Sequence, residues 1–136
     1  MGGFLVGLDL GGTNLKTALV SQEGEVKAHE SRPTEGEKGP DAVIAAMEAS
    51  IRSVVRSAEA RLEDVRAVGV GSPGPLNWQT GVVFETPNLK GWRNVPLAEN
   101  LGKRLDRPVY VDNDANVACY GEFWRGAGQQ VDSMVL

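Results

Sequence analysis

The chain has 136 residues, 41% hydrophobic and 24% charged, the proportions of one globular domain with its own core. A net charge of -4 and the lack of a Lys/Arg cluster argue against nucleic acid as the main partner, because phosphate contacts need a basic face. No apolar run reaches membrane-spanning length, and the stretch after Met1 lacks a basic n-region and a small-residue cleavage site, so a cytoplasmic protein without membrane contact is expected. Cys119 is the single cysteine and His29 the single histidine, which excludes an intrachain disulfide and a metal site built on either within this chain.

Phe4, Val6, Leu8 and Leu10 alternate with their neighbours, and Leu15, Thr17 and Leu19 do so again after Gly11-Gly12. Both runs have the period of a strand, so the segment GLDLGGTNLKTALV, residues 7–20, reads as a hairpin. Gly11 and Gly12 allow positive φ and close approach of a ligand, with successive N–H groups free to point at phosphate oxygens. Thr13 adds a hydroxyl, Asn14 an amide and Lys16 a positive charge if it faces the same cleft. Asp9 could hold a hydrated Mg²⁺. A P-loop needs four residues between its first glycine and Gly-Lys-Ser/Thr, and a dinucleotide fingerprint needs a helix after its glycines; this segment has neither. A ligand-free hairpin is the alternative, since Gly-Gly is an ordinary turn signal.

Further along, Val26 to Ser31 supplies a third strand, and RPTEGEKGP reads as a surface loop before a helix. Ile44, Met47, Ile51, Val54, Val55, Ala58 and Leu62 recur at helical spacing and predict a helix from Asp41 to about Leu62, with Arg52, Arg56, Glu59 and Arg61 on a solvated face. VRAVGVGS has no polar alternation, as in a strand covered on both sides, and runs into a Gly/Pro loop at Ser72 to Leu76. Strands alternating with helices predict an α/β fold, in which ligands sit beyond the carboxyl ends of strands, so this loop is a candidate cleft wall. Val82 to Glu85 reads as a strand, and Asn88 after it is either a ligand contact or a turn residue bonded to its own backbone. Pro96 suits the first residue of a helix carrying Leu97, Leu101 and Leu105 on one face.

The second informative segment is VYVDNDANVACYGE, residues 109–122, where an apolar strand ends in carboxylates and amides and a helical pattern begins. A carboxylate near a helix N-terminus is stabilised in its ionised form and can accept a hydroxyl proton. Asp and Asn are also favoured caps, so one of Asp112, Asn113 and Asp114 is expected only to cap the helix. Cys119, near Tyr120 and Trp124 on that pattern, reads as core.

Taken in order, the hairpin, the GVGSPGP loop, the TPNLKGW segment and the VDNDAN junction resemble the ROK family of sugar kinases and sugar-responsive repressors, most of all its bacterial glucokinases, over residues 5–126. The resemblance implies an actin-like ATPase, ribonuclease H-like fold: a mixed sheet with an N-terminal antiparallel hairpin and flanking helices. It implies that residues 1–136 are the N-terminal lobe of a two-lobed kinase, with 131–136 the first strand of a second lobe. Asp9, Gly11, Gly12 and Thr13, with Asn14 and Lys16, would form the ATP phosphate site. Asn113 would hydrogen-bond the sugar, Asp114 would be the base that activates its hydroxyl, and Gly74 and Asn88 would line the sugar pocket. The implied reaction moves the γ-phosphoryl group of ATP to the 6-OH of glucose with Mg²⁺, and a zinc site is expected only beyond Leu136. A homo-oligomer is expected, and the alternative is the sugar-sensing domain of a repressor.

Overall fold

Alternation of apolar and polar residues builds the centre of the molecule. In the computed structural model, which describes residues 3–113, strand β1 (Phe4–Leu10) buries Val6, Leu8 and Leu10 and exposes Gly7 and Asp9. Strand β2 (Asn14–Ser21) returns antiparallel to it, with Leu10 opposite Leu15 and Asp9 opposite Lys16. Strand β3 (Val26–Pro33) continues the meander along β2, and a one-residue irregularity at Lys27 sets its phase, Val20 facing Val26 and Leu19 facing Ala28. Strands β4 (Val65–Ser72) and β8 (Val109–Asn113) add parallel on the far side of β1, giving the order β3-β2-β1-β4-β8. Parallel neighbours need crossover connections. Helix α1 (Pro40–Ser57) lies in the first and helix α2 (Leu97–Leu105) in the second.

Both helices cover the same face of the sheet. Leu10, Leu15, Leu19 and Val68 from the sheet meet Ile44, Met47 and Ile51 from α1 and Leu97 and Leu101 from α2, all fully buried. Arg104 of α2 donates to Glu48 of α1 at 3.1 Å, and Arg52 donates both to Glu48 and to the Arg104 carbonyl. Arg52 therefore ties the two helices together besides lying on the solvated face. Under α1, the Ser50 hydroxyl lies 2.8 Å from Thr17 Oγ1 and 2.7 Å from Glu30 Oε2. One hydroxyl has one proton, so Ser50 donates to the carboxylate and accepts from Thr17. Arg32 donates to the same carboxylate oxygen. That bond, with those from Ser53 and Ser50, holds the Glu30 carboxyl at about 2, below its ordinary 4.5, against the opposing effect of burial.

A second, three-stranded antiparallel sheet, β5 (Leu76–Asn77), β6 (Val82–Glu85) and β7 (Arg93–Pro96), fills the connection between β4 and α2. Only β6 is anticipated by the sequence, because strands of two and four residues carry too little periodicity to register. Three expected boundaries move. α1 ends at Ser57, short of Leu62, because Glu59 adopts a left-handed φ of 55°. The Ala60 N–H then bonds the Val55 carbonyl and the Glu59 N–H the Arg56 carbonyl, the paired bonds of a Schellman end built without glycine. Asp106, at φ 54°, ends α2 in a similar way, with the Arg107 N–H on the Gly102 carbonyl. Pro96 is not the first helical residue; it pairs with Val82 in β7 and caps α2 from outside. β3 runs to Pro33, so the expected surface loop RPTEGEKGP begins inside the sheet and buries Thr34 and Gly36.

β4 is covered on both sides only at its carboxyl end, where Val70, Gly71 and Ser72 are all buried; Gly69 is exposed, and the missing polar alternation reflects Ala67, Gly69 and Gly71 on the face away from the helices. No helix among the described residues is long and apolar enough to cross a membrane. Asp114, Cys119 and the strand expected at 131–136 lie outside the described residues.

The Glu30 network predicts a specific acid response. A carboxyl whose pKa is lower folded than unfolded stabilises the fold above its unfolded value and loses that contribution as pH falls through its folded one. In urea titrations from pH 7 to pH 2, the stability gap between the parent and Glu30→Gln should be constant above pH 5 and close progressively from about 4.5 to about 2. A gap independent of pH would show that the charge of Glu30 contributes nothing.

Candidate functional site

The parallel strands deliver three chain segments to one end of the sheet. Asp9 aligns with Gly71, Gly71 with Asp112, and Ser72 with Asn113. The hairpin turn after β1, the Pro73–Pro75 loop after β4 and the end of β8 therefore stand side by side, at the carboxyl ends where open α/β sheets hold ligands. On the face away from the helices, Lys16, Asp9, Gly71 and Asp112 form one row across four strands. Gly71 has no side chain, so nothing from β4 separates the carboxylate of β1 from that of β8. Asp9 and Lys16 are exposed and directly opposite each other, while Asp112 accepts the Asn113 N–H at 2.7 Å.

The hairpin turn is closed by the Gly11 N–H on the Asn14 carbonyl at 3.0 Å. Neither Gly11 nor Gly12 takes a positive φ, contrary to expectation. Glycine is needed at 11 for space instead: a Cβ there would lie 2.6 Å from the Asn14 oxygen. At Gly12 a Cβ would meet only the Asn88 Cβ, at 3.5 Å. Gly12, Thr13 and Asn14 are exposed, and the N–H groups of Gly12 and Thr13 have no hydrogen-bond partner among the described residues. Two solvent-facing donors beside a threonine hydroxyl fit phosphate oxygens.

Asn88 reaches the hairpin from the loop 86–92. That loop is fastened by Thr86 N–H to the Trp92 carbonyl at 3.3 Å and Leu89 N–H to the Thr86 carbonyl at 3.3 Å, with Leu89 and Trp92 buried. Burying its two ends presents Asn88 outward, and the Asn88 side chain makes no hydrogen bond among the described residues, against the reading that it only closes its own turn. Thr86 Oγ1 and Trp92 Nε1 are buried without a partner among the described residues, so packing fixes this loop base more than side-chain hydrogen bonds do. Gly74, at φ +81°, abuts the Glu85 carbonyl and the Thr86 side chain, which ties the loop after β4 to the end of β6.

Two residues absent from the sequence expectations complete the arrangement. Thr34, only 1% exposed, donates from Oγ1 to the Gly11 carbonyl at 2.7 Å and from N–H to the Thr13 carbonyl at 2.9 Å. The Gly36 carbonyl accepts the Lys90 N–H at 3.2 Å, and a Cβ at Gly36 would lie 2.5 Å from Leu89 Cδ2. Only the Pro33-Thr34 juncture at the end of an apolar-poor strand hints at either. No group of three His, Cys, Asp or Glu among the described residues could cage a metal. A single exposed Asp9 suits instead a hard cation that keeps its waters.

A mixed five-stranded sheet opening on a β-hairpin, with helices in its crossovers and a donor-lined turn at its carboxyl edge, defines a domain of the actin-like ATPase class. The chain belongs to the ROK family, whose profile matches residues 5–136. It is 40% identical over 131 residues to a glucokinase of Thermotoga maritima, covering 96% of this chain and 40% of that protein. A ROK family glucokinase from Streptomyces griseus, solved in complex with glucose and AMPPNP, is similar at 32% identity and a TM-score of 0.84, over 96% of this chain and 39% of that one. A xylose repressor of Caldicellulosiruptor bescii is 30% identical over 98% of this chain and 33% of its own length. The chain thus spans about two fifths of the length of the glucokinase relatives it matches.

The glycines of the site separate by experiment. Gly74→Ala, at a left-handed φ and against a carbonyl, should lower unfolding free energy by at least about 1–2 kcal/mol. Gly12→Ala should stay within about 0.5 kcal/mol of the parent, as a surface substitution without strain. Urea midpoints at constant m-value read both.

Proposed function

We propose that residues 1–136 form the N-terminal lobe of an ATP-dependent hexose kinase whose acceptor is glucose. The observation that carries this reading is the meeting, at one sheet edge, of a hairpin with two N–H donors unpartnered among the described residues, the exposed Asn88 side chain and the end of β8 at Asn113. The similarity to a glucokinase solved with glucose and AMPPNP supports the same assignment.

In this reading the N–H groups of Gly12 and Thr13 and the Thr13 hydroxyl donate to ATP phosphate oxygens, and Gly11 keeps the turn narrow enough for that approach. Asn14 and Lys16 flank the phosphates, Lys16 as a positive charge on the row shared with Asp9. Asp9 would hold Mg²⁺ through water, where the cation offsets phosphate charge. Asn88, Gly74 and Asn113 line the sugar side, and Asn113 hydrogen-bonds a sugar hydroxyl. Asp114 accepts the proton of the 6-OH as its oxygen attacks the γ-phosphorus and the bond to the leaving ADP oxygen breaks. Transfer depends mainly on positioning and electrostatics, with general-base help secondary. A cytoplasmic setting and a homo-oligomer belong to the same proposal.

The similarity to a xylose repressor favours a second reading, a sugar-sensing domain without phosphoryl transfer. Sugar-dependent ADP release by the full-length protein, measured across a panel of hexoses, separates the two. Glucose should drive release, and Asp114→Asn should lower kcat by about 10² to 10⁴ while sugar affinity survives. Sugar binding without ADP release in the parent protein would establish the sensor instead.

A further inference from the structure

The turn that presents the two N–H donors is not self-supporting. Its only internal backbone bond among the described residues joins Gly11 to Asn14, and the residues between them are exposed. Both carbonyls that bracket the turn, those of Gly11 and Thr13, are instead held from outside by one residue, Thr34. The peptide plane makes this consequential. The Gly11 carbonyl and the Gly12 N–H belong to one planar trans unit and point in opposite directions. Fixing the carbonyl on the buried Thr34 hydroxyl therefore aims the Gly12 N–H away from the protein, toward solvent. Glycine on both sides of that plane leaves it otherwise free to rotate.

We infer that Thr34 is a positioning residue for anion binding: its side-chain and main-chain bonds hold the 11–13 turn in the orientation that receives phosphate. Two residues later the same segment is fastened to the loop that bears Asn88, through the Lys90 N–H on the Gly36 carbonyl and Leu89 against Gly36. The stretch 33–36 thereby spans the distance between the phosphate turn and the loop next to it, and places Asn88 against Gly12. This inference rests on the phosphate role proposed for the hairpin.

The test is the affinity of the full-length protein for Mg²⁺-AMPPNP, measured by calorimetry well below each variant's melting temperature, with glucose affinity measured in parallel. Thr34→Val keeps the shape and removes the hydroxyl; Thr34→Ala removes it without branched bulk; Thr34→Ser restores it. Loss of one buried hydrogen bond should weaken AMPPNP binding about 5- to 30-fold in the first two variants, leave glucose affinity within twofold, and be reversed by serine. AMPPNP affinity unchanged in Thr34→Val or Thr34→Ala, or an equal fall in both affinities, would reduce Thr34 to a general structural role and overturn the inference alone. So would a protein that folds only with a hydroxyl at 34. Failure of the parent protein itself to bind AMPPNP would instead overturn the phosphate reading, and this inference with it.

Discussion

β1 is paired in two opposite senses, and most of the structure follows from that. Its antiparallel contact with β2 needs only a tight turn, which leaves a short run of backbone exposed between Leu10 and Leu15. Its parallel contact with β4, and that of β4 with β8, forces each connection to travel back over the sheet, so every parallel strand ends at the same edge as that turn. A single mixed strand thus brings a donor-bearing turn and two strand ends to one place. Reversing either pairing would scatter them. Small residues on β4 make the meeting close, because Gly69 and Gly71 place no side chain between β1 and β8.

How much of this was legible in the sequence depends on the range of the interactions involved. β1, β2 and the buried stripe of α1 follow from alternation and helical spacing, which report burial of one face and need no knowledge of the partner. The helix ends do not, because Glu59 and Asp106 occupy a left-handed conformation usually left to glycine or asparagine, so neither residue type marks the stop. The short strands β5 and β7 escaped for want of length. At the site, the hairpin and the strand end at Asn113 are local features and could be read directly. The seat of Asn88 against Gly12, and the buried bonds of Thr34, join segments distant in sequence and leave no local mark. Gly11 and Gly12 are turn residues as their type suggests, but space, and not the sign of φ, selects glycine at 11.

The polar cluster beneath α1 sits where an apolar core would be expected, and its geometry explains why it persists. Ser50, wholly buried, faces β2 and β3 at once and supplies a proton to Glu30 while receiving one from Thr17. Arg32 closes the set, so each charged or polar member has a partner, the condition under which buried polar groups are tolerated. The cluster also gives the outermost strand a reason to lie in one register, which an edge strand of alternating small and polar residues would not otherwise have.

That register has a mechanical origin at Lys27. The extra residue there moves everything after it by one position, so that Ala28, Glu30 and Arg32 turn toward the helix and His29 and Ser31 away from it. Side chains on a strand alternate with a period of two, so shortening the bulge by one residue would exchange the faces. Glu30 would leave Ser50, and the chain would reach Thr34 with its hydroxyl on the wrong side of Gly11. A single inserted residue on the rim of the sheet thus works as a phase setter, and the alignment of a turn at the opposite end of the β2–β3 pair is inherited from it.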